Sequence, residues 1–377
     1  MIIDHTLANN MDIITFLSFF AGLGMLVAGA EALVRGASWL ARALSLPSII
    51  IGLTVVAFGT SLPEMAVSVI SSIQGQSDIS LGNVVGSNIF NVLFILGLTA
   101  SIRPLIILKR LIRLDVPVMI GVSLLMLFCA LNGRIGRGEG LVLFLGIIGY
   151  TVFLIYMGRK NEILIKNTTR EELGPKKHSS AWLLNLGFIL GGLVFLVAGS
   201  RLFVDGAISI AEMIGVSKLV IGLTIVAAGT SLPEVATSVV ASIRGHQDIA
   251  VGNVIGSNIF NILAVLGLSS LISPGGLKVA ASALRFDIPV MLVVAIACLP
   301  IFFTGRVIAR WEGLLFLFYY LAYAAYLIFS SAHHKALPLF SMMMVVFVIP
   351  ITVLTLLITT LYSFRKNKEV FQSKDKD

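Results

Sequence analysis

Apolar runs separated by short polar gaps recur along nearly the whole chain, near residues 14–34, 47–73, 81–101, 114–131, 140–157, 181–204, 217–243, 249–272, 285–303, 312–330 and 338–362. Each is close to the roughly 20 residues that carry a helix across a hydrocarbon layer of about 30 Å. The pattern predicts eleven membrane-spanning helices. Arg159 to Ser180, rich in Lys, Glu, Thr and Asn, is the one sizeable polar stretch between them and reads as a connector. No soluble domain is expected, and the fold class is an all-α polytopic membrane protein.

The chain repeats itself. Ile51 to Leu98 and Ile221 to Leu268 align without a gap at a shift of 170 residues, with 33 of 48 positions identical. Weaker echoes flank this core: RLDVPVM from Arg113 to Met119 matches RFDIPVM from Arg285 to Met291, and Glu139-Gly140 matches Glu312-Gly313. The unit is five spans, with a first copy over 12–158, the connector over 159–180 and a second copy over 181–330. An eleventh span at 338–362 and a basic tail at 363–377 are additions. Because five is odd, the second copy must enter the membrane from the opposite side, so the repeats are inverted.

Charge agrees. With the N-terminus outside and the C-terminus cytoplasmic, 20 of the 27 Lys and Arg fall in inner segments, as the positive-inside rule requires. Arg35 and Arg42 of the first copy become Asp205 and Glu212 in the second. A composition of 57% hydrophobic and 12% charged residues, with mean hydropathy +1.00, excludes a soluble globular domain. The net charge of +8 is spread over the gaps between spans instead of forming a patch, so it reports topology and no nucleic-acid partner. Cys129 and Cys298 each lie in an apolar run and read as buried thiols. Asp4 and Asp12, with no Lys or Arg before the first span, are unlike a cleaved signal peptide, so that span is expected to stay.

In each copy an apolar helix is interrupted by Gly-Thr-Ser-Leu-Pro-Glu, at Gly59 to Glu64 and at Gly229 to Glu234. Proline has no N–H and its ring crowds the preceding turn, so the helix is expected to break there. Paired breaks in inverted repeats point to a binding site at the repeat interface. Glu64 and Glu234 at membrane depth need a compensating partner, and no histidine lies in any span. A bound cation supplies one. The donors on offer are oxygens: the two carboxylates, the hydroxyls of Thr60, Ser61, Thr230 and Ser231, and carbonyls freed around Ala57 and Ala227. That set suits hard cations such as sodium and calcium better than zinc or copper. The following helix of each copy adds Ser87 and Asn91, or Ser257 and Asn261, four residues apart on one face. Glycines at 82, 86 and 97, and at 252, 256 and 267, let it approach the broken helix closely.

Structural readings stand beside these. Ser-x-x-Glu is also a capping box, in which Ser61 and Glu64 satisfy the first N–H groups of a half-helix. Asp78 and Asp248 read as N-caps, Asp115 and Asp287 as helix starts before a proline, and Glu31 with Arg35 and Arg201 with Asp205 as i,i+4 pairs.

These motifs, GTSLPE followed by GNVVGSNIFN and GNVIGSNIFN, resemble the cation/calcium exchanger superfamily, and the similarity covers nearly all of the first ten spans. Without a long loop between the halves, the chain is similar to the prokaryotic sodium/calcium exchanger type. The resemblance implies an antiporter with no cofactor, whose transported ions are calcium and sodium. It also implies that Glu64, Thr60, Ser61, Ser87 and Asn91, with Glu234, Thr230, Ser231, Ser257 and Asn261, coordinate them. Asp in place of Asn261 accompanies potassium co-transport in one branch, so potassium independence is implied here. Two formal charges match one calcium, and a third sodium would leave excess positive charge, which makes the exchange electrogenic. A calcium/proton antiporter using the same glutamates is the alternative, although such relatives carry a carboxylate where this chain has Val84-Val85. A cation channel fits paired central carboxylates less well. An enzyme is not expected, since Ser61 has no His or Lys partner in the sequence.

Overall fold

Residues 2–166, 179–215, 221, 225 and 227–359 are described by the computed structural model, with side chains over 15–158, 182–215, 221, 225 and 228–359. The first half contains α1 (Ile2–Ala43), α2 (Ser48–Thr60), α3 (Leu62–Ile73), α4 (Ser77–Ile102), α5 (Leu111–Ala130) and α6 (Arg137–Lys166). The second contains α7 (Ser179–Met213), α8 (Ala227–Gly229), α9 (Leu232–Ile243), α10 (Gln247–Ile272), α11 (Ala283–Phe303) and α12 (Arg310–Ser331), after which α13 (Leu337–Thr359) is the additional span. The predicted connector beyond residue 166, the basic tail and much of the start of the seventh span lie outside the described residues.

Two short strand pairs record the inversion. β1 (Leu105–Ile106), after the third span of the first half, pairs antiparallel with β4 (Val307–Ile308), after the fourth span of the second. β2 (Arg134–Ile135) pairs in the mirrored way with β3 (Leu277–Lys278). Repeats of like orientation would put these partners on opposite faces of the membrane. Arg103 ties the same face together by donating to the carbonyls of Ser242 and Ile243 at the end of α9, at 3.1 and 3.2 Å.

Layering follows apolar content and polarity. The most apolar stretch of α10 is wholly buried and that of α4 is 72% buried, whereas α12 is 11% and α13 0% buried. α4 and α10 thus form the centre, the half-helices α3 and α9 bury their glutamates beside them, and α12 and α13 lie at the periphery. The proline break is where composition placed it: α2 and α3 meet at a 46° bend. Ser61 and Ser231 leave helical geometry, with ψ of 9° and 6°. Each half-helix then ends at a glycine of positive φ, Gly75 at 76° and Gly245 at 87°. The N–H groups of Gln76 and His246 return to the carbonyls of Ser71 and Ala241 at 2.8 Å, closing a left-handed turn that a side chain would strain.

Outside the binding helices, α1 and α7 pack along glycines. A methyl on Gly29 would stand 2.8 Å from the Gly192 carbonyl oxygen, and one on Gly199 would stand 2.9 Å from that of Gly22. With no hydrophobic drive between helices in lipid, this close backbone approach supplies the attraction.

Several aspartate and pairing expectations give way. Asp78 and Asp248 lie inside the first turns of α4 and α10, after N-caps Gln76 and His246, and neither caps its own helix. Asp248 instead accepts the hydroxyl of Ser48, at the start of α2 in the other half. Asp115 and Asp287 do not start helices either. Each closes a π-helical turn inside a continuous helix, so proline follows a helix already under way. Their carboxylates accept the hydroxyls of Tyr150 on α6, at 3.1 Å, and Tyr323 on α12, at 2.9 Å. Glu31 pairs with Arg244 of α9 at 2.7 Å, while Arg35 stacks over Phe188 at 5.5 Å. The tertiary partners outcompete the i,i+4 neighbour because α1 lies against α9, and the exposed pair itself adds little stability.

Candidate functional site

The breaks aim two half-helix N-termini, with Ser61 and Glu64 on α3 and Ser231 and Glu234 on α9, into the seam between the repeats. No side-chain capping bond forms at either serine. Each hydroxyl crosses the seam instead: Ser61 Oγ donates to Glu234 Oε1 at 2.9 Å, and Ser231 Oγ donates to Glu64 Oε1 at 2.8 Å. Ser231 Oγ also lies 3.2 Å from Ser87 Oγ on α4. The capping-box reading therefore fails, because the carboxylate nearest each serine belongs to the other repeat. Both glutamates have no solvent exposure.

Asn91 and Asn261 arrive from α4 and α10. Each begins a π-helical stretch, Asn91–Leu96 and Asn261–Leu266, which re-aims the side chain toward the seam. Asn91 donates its amide to Asn258 Oδ1 at 3.0 Å, and Asn261 donates to Asn88 Oδ1 at 3.1 Å. Asn88 and Asn258 are in turn anchored through their own amides at Met291 Sδ, 3.5 Å, and Met119 Sδ, 3.4 Å. With both nitrogens held from behind, the oxygens of Asn91 and Asn261 stay free.

A set of buried oxygens without hydrogen-bond partners results: Glu64 Oε2, Glu234 Oε2, Asn91 Oδ1, Asn261 Oδ1 and Ser257 Oγ. Buried acceptors left unpaired cost about 1–3 kcal/mol each, more when charged, so a seam that gathers five of them, two on carboxylates, needs a positive occupant. Among the described residues no group of three His, Cys, Asp or Glu is gathered, so nitrogen- and sulfur-seeking metals have no nest. Carboxylate, amide and hydroxyl oxygens together can meet the six to eight that calcium prefers.

The remaining expected donors are placed unevenly. Thr60 and Thr230 point across the seam but donate to Asn253 Oδ1 at 3.1 Å and Asn83 Oδ1 at 3.3 Å, so only their lone pairs remain. The Ala57 carbonyl is not freed by the break, since it accepts the Ser61 N–H at 3.1 Å. The carbonyls that proline at 63 and 233 deprives of a helical partner are those of Gly59 and Gly229, as the missing N–H requires, and the Gly229 carbonyl takes the hydroxyl of Ser200 on α7 at 2.6 Å. Ala227 opens α8, and its side chain lies outside the described ones.

Asn83, Asn253, Asn88 and Asn258 were not singled out by motif reading. Asn83 donates to the Glu64 carbonyl at 3.0 Å and to Ser68 Oγ at 2.9 Å, and Asn253 donates to Ser238 Oγ at 3.0 Å, so both hold the half-helices that carry the glutamates. All four lie inside the duplicated segment, which was the available signal. Replacing Asn258 by Ala is expected to release the Asn91 amide and weaken calcium binding roughly tenfold, one hydrogen bond plus one orphaned donor. Calcium-dependent thermal stabilisation of the purified protein measures it, and an unchanged calcium midpoint would refute the anchoring role.

Two inverted five-span units meeting at a buried, carboxylate-centred set of oxygens define a multi-pass membrane transporter for hard cations. The chain belongs to the sodium/calcium exchanger protein family, which matches residues 14–156 and 184–329. It is similar to the putative antiporter CaxA of Alkalimonas amylolytica, 40% identical over 315 residues that cover 82% of this chain and 97% of the relative. It is 34% identical over 348 residues to the sodium/calcium exchanger MaX1 of Methanosarcina acetivorans, covering 84% of this chain and 99% of the relative. Among solved structures, the sodium-calcium exchanger NCX_Mj overlays with a TM-score of 0.72 at 32% identity, covering 84% of this chain and 99% of that one. The protein is thus a cation/calcium exchange antiporter and not an enzyme.

Proposed function

We propose that the chain exchanges sodium for calcium, electrogenically and without potassium. The observation that carries this reading is the set of unpaired oxygens that includes Glu64 and Glu234, contributed by both repeats and joined by Ser61 and Ser231 across the seam. Glu64, Glu234, Thr60, Ser61, Thr230, Ser231, Ser87, Asn91, Ser257 and Asn261 are the proposed ligands, with the second lone pair of the Ala57 carbonyl and the Ala227 carbonyl beside them.

Sodium and calcium compete for the same oxygens, so occupancy by one excludes the other, and that exclusion couples their fluxes. Asparagine at both 91 and 261 keeps the site at two formal negative charges. One calcium balances them. Three sodium ions carry one more positive charge, so each cycle moves net charge. The α1–α7 pair, joined glycine to glycine, slides as one body past the central helices and uncovers the site on one face at a time. The N-terminus is placed outside and the C-terminus in the cytoplasm of the cell membrane, by the distribution of Lys and Arg.

The test is calcium uptake into proteoliposomes loaded with sodium, compared with a proton gradient at the same clamped voltage. Uptake is expected with the sodium gradient alone and is expected to change with voltage. Uptake driven only by protons would replace this reading with calcium/proton exchange on the same glutamates.

A further inference from the structure

A cavity of about 410 Å³ separates α13 from α11 and α12, outside the ion site. Its wall runs along α11 from Arg285 to Ile301. At about 1.5 Å of rise per residue that is about 24 Å, most of the hydrocarbon thickness. The antiparallel neighbours keep the same order: Tyr326 and Ser341 stand at the Arg285 end, and Leu315 and Leu356 at the other.

The polarity of this slot is one-sided. Two hydroxyls along it are already used: Tyr319, midway, donates to Thr352 at 2.7 Å, and Tyr323, one turn from Tyr326, donates at 2.9 Å to Asp287, whose carboxylate does not line the slot. At the Arg285 end the guanidinium is exposed and, among the described residues, has no carboxylate within ion-pair distance. Tyr326 and Ser341 flank it with hydroxyls that no described residue engages. The cavity is long, narrow and apolar, with one cation and two free hydroxyls at a single end, where α11 begins its span.

We propose that this slot is a binding site for an anionic phospholipid. One acyl chain lies along α11 between α12 and α13, and the phosphate is held by Arg285 with Tyr326 and Ser341. The family match ends at residue 329, and α13 lies beyond it. The additional span then serves as the outer wall of a lipid site that the ten-span core alone would not enclose. Burying the chain satisfies an apolar cavity that water would not fill, and the single cation selects the headgroup charge.

Native mass spectrometry of the detergent-purified full-length protein tests this with phosphatidylglycerol and phosphatidylcholine of identical acyl chains. The wild type is expected to retain phosphatidylglycerol about fivefold more readily, and Arg285→Gln to abolish that preference while still binding both lipids. Ala297→Phe and Ala322→Phe, which fill the slot from α11 and from α12, are each expected to remove the retained lipid while the protein stays monodisperse. Equal retention of the two lipids by wild type, or undiminished retention by Arg285→Gln and by both slot-filling variants, overturns the proposal. A change of oligomeric state in the slot-filling variants with lipid retention unaltered also overturns it, and assigns the slot to a second copy of the chain.

Discussion

Replacing Glu64 by Gln, or Glu234 by Gln, is expected to abolish calcium exchange while leaving a folded protein. Gln keeps the shape and the oxygen that accepts from Ser231 or Ser61, so the cross-repeat bond at 2.8 or 2.9 Å can persist. What disappears is one of two negative charges in a site with no solvent contact. Removing one partner of a buried ion pair costs about 3–5 kcal/mol, which corresponds to calcium binding weaker by roughly two to three and a half orders of magnitude. In the ion-free protein the sign reverses, because two buried carboxylates face one another with an oxygen each unpaired and Gln relieves that repulsion. Thermal unfolding should therefore show a variant that is no less stable without calcium but no longer stabilised by it. Radioactive calcium uptake at the wild-type rate in either variant would remove the glutamates from the site.

Gly192→Leu is expected to stop exchange by a different route. A methyl there would lie 2.8 Å from both the Gly29 carbonyl oxygen and the Leu33 nitrogen, and backbone atoms cannot rotate away as a side chain can. Overpacking of this kind costs about 1–3 kcal/mol, released only when α1 and α7 move apart. The two helices then no longer travel as one body, and exchange should fall at least about tenfold. The ion site lies on the two helix breaks, α2–α3 and α8–α9, and on α4 and α10, so the calcium midpoint in thermal stabilisation should stay within about twofold. Gly191→Leu is the control: it adds the same side chain one position along, where the residue is exposed and no described atom lies within 4 Å of the added carbon. Equal exchange by Gly192→Leu and wild type would show that the glycine contact is packing without a part in transport.

The duplicated segment was legible because a broken helix, a buried carboxylate and their repetition are all local properties of composition and spacing. Pro63 and Pro233 each remove a helical N–H and crowd the turn before them, and the 46° bend between α2 and α3 falls where that rule puts it at Pro63. The details that went astray all concern which partner a polar group chooses. The capping pattern that stands as the structural alternative at Ser61 is local to its own half-helix, whereas the hydroxyl donates to Glu234, 173 residues away. Glu31 was matched to Arg35 and instead reaches Arg244. Asp115 looked like a helix start, yet the π-helical turn that it closes continues the helix and turns the carboxylate toward Tyr150. Nothing in a local window encodes these choices, since each depends on how closely another helix approaches.

By itself the sequence determined the span pattern, the two inverted copies, the position of the breaks and the oxygen chemistry available there, because hydropathy, proline geometry and charge act over a few residues. The tertiary structure alone decided that the serines bridge to the opposite glutamate and that Asn88 and Asn258 anchor the ligand asparagines. It likewise decided that Ser200 of α7 takes the carbonyl that Pro233 frees at Gly229, and that the last span walls a cavity. The serine and asparagine pairings follow from bringing segments about 170 residues apart into contact at a buried seam. Once water is excluded there, every polar atom must take the nearest partner that the fold, and not the chain order, supplies.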